Sequence, residues 1–308
     1  MLTRRLTFGE DAIAAAANLI LAGNVVAIPT ETVYGLAGDA TSDVAVAAIY
    51  AAKGRPSFNP LIVHVANADA AFAIGEFDAI TRALAAEHWP GPLTIVVPLR
   101  PDNGIASLTT AGLMTIALRV PAHRAMQALL AATGKPLAAP SANASGTISP
   151  TRASHVLRSL DGRIPLVIDD GPTVGGLEST IVAIKDGLVR VLRPGPISFA
   201  SPDQARIDEI PQAPGQLAAH YAPSKSLRID ASTAEPDEWH IGFGAIAGNA
   251  TFSATGDMIE AAARLFDLLH AADAGAALRI AVAPVPESGL GIAINDRLRR
   301  AATGAPKP

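Results

Sequence analysis

Residues 25–28, Val-Val-Ala-Ile, form an apolar and largely β-branched run that stops at Pro29. A continuous apolar run of this length reads as a buried strand, ended here by Pro29. Thr30-Glu31-Thr32-Val33-Tyr34-Gly35 follows as a turn rich in hydroxyls, with a helix expected after it. A second apolar strand over 61–65 comes after Lys53-Gly54-Arg55-Pro56 and Asn59-Pro60. Hydroxyls, a Lys/Arg pair, an asparagine and His64 are therefore brought near strand ends, where sheets of the α/β class bind ligands. The group is suited to an anion.

The alternation continues along the chain. Helices are expected over 8–22, from Thr41 or Ser42 with Val44, Ala47, Ala48 and Ala51 on one face, and over 68–74, 80–88, 122–133 and 150–160. Strands are expected over 93–97, 114–120, 137–139, 166–168, 180–184 and 188–192. The last two are joined by the hairpin signal Lys185-Asp186-Gly187. Six prolines between 194 and 223 then interrupt all periodicity and mark a linker. Beyond it, strands over 226–229, 240–243 and 279–282 with helices over 254–272 and 288–302 make a small α/β domain. The expected division is 1–200, a proline-rich linker or lid over 201–225, and 226–308.

Composition excludes several classes. The chain of 308 residues has no cysteine, so it has neither a disulfide framework nor thiolate metal ligands. No apolar run reaches the roughly 18 residues of a membrane span, and the stretch 13–21 is short, broken by Asn18 and preceded by acids rather than the cations of a signal peptide. A cytoplasmic location is expected. Residues 1–200 carry 15 Lys/Arg against 15 Asp/Glu, and residues 201–308 carry 9 against 13. That balance lacks the basic excess by which proteins grip nucleic-acid phosphates. Arg297, Arg299 and Arg300 fall on the last helix, where a solvated face is expected.

Several groups could do chemistry. Lys53 and Arg55 supply a point charge and a bidentate fork, and read either as a phosphate or carboxylate site or as loop decoration. His64, in mid-strand, reads as a ligand contact or as a hydrogen-bonded core residue. Ser141-x-Asn143, with Ser145, Gly146, Thr147 and Ser149 behind it, reads as a loop whose backbone N–H groups cradle phosphate or as an ordinary capped turn. Arg119 and Arg193 close strands and are candidates to clamp a carboxylate and a phosphate. No Walker loop, Gly-x-Ser-x-Gly elbow or zinc spacing occurs.

Taken in order, these segments resemble the threonylcarbamoyl-AMP synthases, in their long form with a YrdC-like N-terminal domain. The matching runs are Pro29-Thr30-Glu31-Thr32-Val33-Tyr34-Gly35-Leu36, Lys53-Gly54-Arg55-Pro56, Asn59-Pro60-Leu61, Pro90-Gly91-Pro92-Leu93-Thr94, Arg119-Val120-Pro121, Pro140-Ser141-Ala142-Asn143, Glu178-Ser179-Thr180, Arg193-Pro194-Gly195 and His220-Tyr221-Ala222-Pro223. The resemblance implies an α/β fold: a twisted open sheet with helices around a positive central cavity, plus a smaller Rossmann-like C-terminal α/β domain. It implies a nucleotidyltransferase that makes threonylcarbamoyl-AMP and pyrophosphate from L-threonine, bicarbonate and ATP, the first step of the tRNA modification threonylcarbamoyl-adenosine. Position by position it implies threonine contacts at Thr32, His64, Arg119, Ala139 and Ser179. ATP contacts would be Arg55, Asn59, Thr115, Ser141, Ser149, Arg193 and Tyr221. Lys53, Arg55, Ser141 and Asn143 would form the catalytic group around the phosphates. ATP acts as a substrate carrying Mg²⁺, with no organic cofactor and no resident metal.

The partners implied are the tRNA threonylcarbamoyl-transferase complex and, at most weakly, tRNA, with no membrane. Ala218-Ala219 replace basic residues found before His-Tyr-Ala-Pro in some members. Two other functions fit less well. A double-stranded RNA or tRNA-binding accessory protein would need a basic excess, and a carbamoyl-adenylate enzyme with another acceptor would bring zinc-binding modules.

Overall fold

The computed structural model describes residues 2–199, 203–204 and 220–304, which form two sheets. The larger contains β1 (Arg4–Thr7), β2 (Val26–Pro29), β3 (Tyr34–Asp39), β4 (Ile62–His64), β5 (Leu93–Pro98) and β6 (Thr115–Arg119). It also contains β7 (Leu137–Ala138), β8 (Leu166–Asp169), β9 (Thr180–Lys185), β10 (Leu188–Arg193) and β11 (Asp203–Gln204). Among the described residues its order is β1-β8-β2-β3-β7-β4-β6-β5-β9-β10-β11, with parallel and antiparallel pairs mixed. Helices α1 (Glu10–Leu21), α2 (Asp43–Lys53), α3 (Ala68–Ile74), α4 (Ala79–His88), α5 (Arg124–Thr133) and α6 (Ala153–Leu160) accompany it. The smaller sheet is parallel throughout, in the order β12 (Leu227–Arg228), β15 (Arg279–Val282), β13 (Glu238–Gly242), β14 (Ala250–Thr251). It packs with α7 (Met258–Ala274) and α8 (Leu290–Gly304). The expected mixed α/β class, with a second smaller unit, is the class found.

Strand alternation explains why both faces of the large sheet are covered. Val26 and Ile28 of β2 join Ile13, Ala16 and Ile20 of α1 and Leu129 and Leu130 of α5 in one core. Ala27, between them, joins Leu36, Ile49, Tyr50, Val156 and Leu160 in the core on the opposite side. The third core belongs to the smaller sheet, but Val33, Ile148 and Leu177 from the first part of the chain pack into it with Phe266, Leu269 and Ile294. Gly176 (φ +67°) sits at this seam, and a Cβ there would lie 2.3 Å from the carbonyl oxygen of Ala262 on α7. The Asp186-Gly187 turn has φ +54° and +74°, the double positive φ of a two-residue hairpin.

Three expectations are corrected, and one strand is added to them. The turn after β2 leads into β3 before any helix; its Gly35 and Gly38 mask the strand pattern, because their sites abut Ala139 and Ile49 too closely for larger side chains. In α2 the face with Val44, Ala47 and Ala51 points outward, since the larger Ile49 and Tyr50 take the interior with Val46. Edge strand β1 was not anticipated in Arg4-Arg5-Leu6-Thr7, whose alternation is too short to register. Arg297 is fully buried rather than solvated. The stretch expected as a linker over 201–225 falls largely outside the described residues, as do Ala218 and Ala219.

Candidate active site

The ends of β2, β4, β6, β7 and β10 and the start of β9 converge on a cleft. Its walls include Thr32, Arg55, His64, Arg119, Ser141 and Arg193, with Ala139, Ser179 and Tyr221. The register of β4 against β6 sets His64 beside Arg119. The turn after β2 is fixed by Thr30, whose Oγ1 donates to the Val33 carbonyl at 2.8 Å and lies 2.8 Å from Thr32 Oγ1. Thr32 is thereby held within 3.1 Å of Arg119 Nη1. Arg119 also donates from Nη2 to Glu31 Oε1 at 2.6 Å and from Nε to the Gly91 carbonyl at 3.1 Å.

Two other guanidinium groups have carbonyl partners instead. Arg55 donates to the carbonyls of Asn59 at 3.1 Å and Pro60 at 2.8 Å. Arg193 donates to the Ser179 carbonyl at 2.8 Å and to its Oγ at 3.1 Å. Burial pushes each of them down to about 10, so both stay cationic at neutral pH. Among the described residues neither has a carboxylate within ion-pair distance. Cations withdrawn from water without an ion-paired carboxylate favour an anionic ligand that supplies one. Burial, reinforced by the Arg119 charge, drives His64 down to about 3, so its ring is neutral; Nδ1 is buried without a partner.

The remaining candidates stand behind this wall. Lys53, the last residue of α2, points its ammonium at the carbonyls of Ser141 and Asn143, the latter at 2.6 Å. Burial and the neighbouring Arg55 charge lower its pKa well below the usual lysine range. Asn143 uses its Nδ2 on Ala144 and Thr147 and leaves Oδ1 without a partner. Lys53 and Asn143 are thus braces of the loop that presents Ser141, rather than part of the cleft surface. Asn59 is buried with both amide atoms unpartnered. Ser149 donates to Glu178, and Thr115 begins β6, about 13 Å of strand away from Arg119. Tyr221 holds φ +65°, which is unusual for a bulky residue, and its buried hydroxyl has no partner. Glu178 and His220 also line the cleft, and Glu31 reaches it through Arg119; none of the three stands out by sequence pattern, although the two acids directly precede Thr32 and Ser179.

A twisted α/β sheet whose strand ends enclose buried guanidinium groups and hydroxyls belongs to a class suited to anionic ligands. Comparison with known proteins sharpens that class. Residues 18–195 match the Sua5/YciO/YrdC family model described as Telomere recombination. Residues 179–303 match the Threonylcarbamoyl-AMP synthase, C-terminal domain. The Threonylcarbamoyl-AMP synthase of Bacillus subtilis is 38% identical over 98% of this chain and 96% of its own length. That of Pyrococcus abyssi is 37% identical over 95% and 94%. The solved structure of P. abyssi Sua5 complexed with L-threonine superposes with a TM-score of 0.86 at 33% identity, covering 99% of this chain and 98% of that one. The chain belongs to the threonylcarbamoyl-AMP synthases, enzymes of the nucleotidyltransferase class.

Proposed function

We propose that this protein condenses L-threonine, bicarbonate and ATP into threonylcarbamoyl-AMP, releasing pyrophosphate, and so begins the formation of threonylcarbamoyl-adenosine in tRNA. The observation that carries this is the pair Arg55, partly buried, and Arg193, buried, both cationic and, among the described residues, without an ion-paired carboxylate on the walls of one cleft. The bound L-threonine in the P. abyssi relative supports the amino-acid half of the reaction.

Arg119 clamps the threonine carboxylate, with Thr32, His64, Ala139 and Ser179 around the rest of the molecule. Arg55, Asn59, Thr115, Ser141, Ser149, Arg193 and Tyr221 serve ATP, and the orphaned amide of Asn59 suits a polar ligand. The threonine amine captures bicarbonate as a carbamate with loss of water, a carbamate oxygen attacks the α-phosphorus, and the bond to the bridging oxygen breaks as pyrophosphate leaves. Catalysis is positioning and charge stabilisation, with no protein nucleophile. Lys53 and Asn143 act at one remove, by holding the Ser141 loop. Mg²⁺ travels with the triphosphate, whose oxygens suit it.

Residues 1–200 form the catalytic unit in this account, 201–225 a lid that excludes water from the hydrolysable adenylate, and 226–308 a supporting domain. The product passes to the tRNA threonylcarbamoyl-transferase complex in the cytoplasm. Among the described residues no helix is long and apolar enough to cross a membrane.

The test is product identity. With ¹³C-bicarbonate, threonine and ATP, mass spectrometry should find label in a threonine adduct of AMP. Label confined to free carbamate, or AMP formed without the adduct, would count against the synthase.

A further inference from the structure

Arg297 lies on α8, in the second part of the chain, yet it is fully buried against the cleft of the first. Its Nε donates to Glu178 Oε2 at 3.0 Å. Its Nη1 donates to the Pro194 carbonyl at 2.8 Å and to Asp296 Oδ2 at 2.7 Å. Its guanidinium carbon stands 5.4 Å from the ring centroid of Tyr221, and Nη2 is buried without a partner. The other oxygen of Glu178 accepts from Ser149 Oγ. Glu178 lines the cleft and immediately precedes Ser179, to which Arg193 is bonded.

Glu178 is therefore a buried carboxylate beside a buried cation, Arg193, that has no carboxylate of its own. Burial alone would raise the Glu178 pKa, but the Arg297 charge first, and Arg193 second, hold the carboxyl below its ordinary range. An ionised Glu178 left without Arg297 would have one strong counter-charge in reach, and it would neutralise the cation the ligand needs.

We propose that Arg297 is a positioning residue that takes up the charge of Glu178 and thereby keeps Arg193 available to an anionic substrate. This rests on the proposed ATP-dependent function of the cleft and adds to it a role for the C-terminal part of the chain. Ser149 and Arg297 occupy the two carboxylate oxygens of Glu178, and Asp296 accepts from Arg297. Arg297 need not touch the substrate.

The diagnostic experiment compares the full-length wild type, Arg297→Gln and the double variant Glu178→Gln/Arg297→Gln. The probe is inorganic pyrophosphate, titrated by calorimetry, with a thermal melt to establish folding. Arg297→Gln should weaken pyrophosphate binding about tenfold or more, the scale of removing one charge-assisted hydrogen bond. The double variant, with no carboxylate left to capture Arg193, should return to within about threefold of the wild type. A purely structural role would not give that recovery in folded protein. If Arg297→Gln does not fold, the double variant still decides, because replacing a buried pair with neutral groups is tolerated more often than breaking it. Retained affinity there supports the inference. Lost affinity overturns it and makes Arg297 a direct ligand through Nη2. Unchanged affinity in folded Arg297→Gln, or a wild type that does not bind pyrophosphate, also overturns it. Since no turnover is read, absence of threonine-dependent activity in the wild type would count only against the proposed reaction.

Discussion

Arg119 Nη2 lies 2.6 Å from Glu31 Oε1, and the ion pair closes one wall of the cleft with the arginine buried and the glutamate about one-fifth exposed. Burial raises the Glu31 pKa, but the charge and hydrogen bond of Arg119 outweigh it and hold the carboxyl below its usual value. The guanidinium is thus pre-oriented by Glu31, Thr32 and Gly91, with N–H groups left for an incoming carboxylate.

Arg119→Lys should accordingly raise the threonine KM about 10- to 100-fold, the loss expected when a bidentate charged contact becomes a point contact, while the ATP KM changes much less. Initial-rate kinetics with each substrate varied separately give the comparison. Equal effects on both would remove Arg119 as the threonine clamp.

Lys53→Met keeps the volume of the side chain and removes the donor shared by the carbonyls of Ser141 and Asn143. Two buried acceptors lose their partner, so stability should fall by about 2–4 kcal/mol in chemical denaturation, with turnover falling as the Ser141 loop loosens. Full stability with turnover abolished would instead mean that the ammonium acts directly on the phosphates.

Acid should destabilise the protein before its carboxylates titrate. Burial lowers His64 and His155 to about 3 and His270 to about 4, with neighbouring Arg119 and His270 charges adding to the effect on the first two. These folded values lie below the unfolded value near 6.5, so the unfolded chain takes up protons first. The contribution is complete above pH 6.5 and is lost as pH falls from there toward 3, at up to about 2 kcal/mol per ring by pH 5. His155 and His270 stack at 3.8 Å across the seam between α6 and α7, so their substitution by Gln should flatten much of that slope. Urea denaturation at pH 7.5, 6 and 5 measures it. Equal stability at all three would contradict neutral buried rings.

Much of the cleft was legible because its residues sit where local rules are strong. The apolar runs that end in β2, β4 and β6 identify their strands, and the polar residues just past them, Thr32, His64 and Arg119, face the cleft because strand ends in an α/β sheet do. What escaped depends on long-range pairing. Strand β3 contains two glycines and is specified by its neighbours β2 and β7 rather than by its own propensity. The outward face of α2 has the same alanine spacing as an inward one, and only packing of Ile49 and Tyr50 decides between them. Arg297 followed a helical charge pattern that suits water, and its burial depends on Glu178, 119 positions earlier. Lys53 and Asn143 resembled contact residues, yet their hydrogen bonds run into the loop they support.

Gly176→Ala tests the seam between the two sheets. A Cβ would meet the Ala262 carbonyl and Ala263 of α7 at 2.3–2.6 Å in a backbone conformation that L-residues avoid. The variant should lose about 2–4 kcal/mol, the scale of combined strain and overpacking, and limited proteolysis should cut it faster between the two parts. Wild-type protection would show that the seam yields without cost.

The central claim is tested most directly by pyrophosphate release from ATP by the wild-type protein, measured with and without L-threonine and with and without bicarbonate. Release that requires both together is the result predicted. Release that ignores threonine would contradict the proposed acceptor, and no release with all three present would contradict the reaction itself.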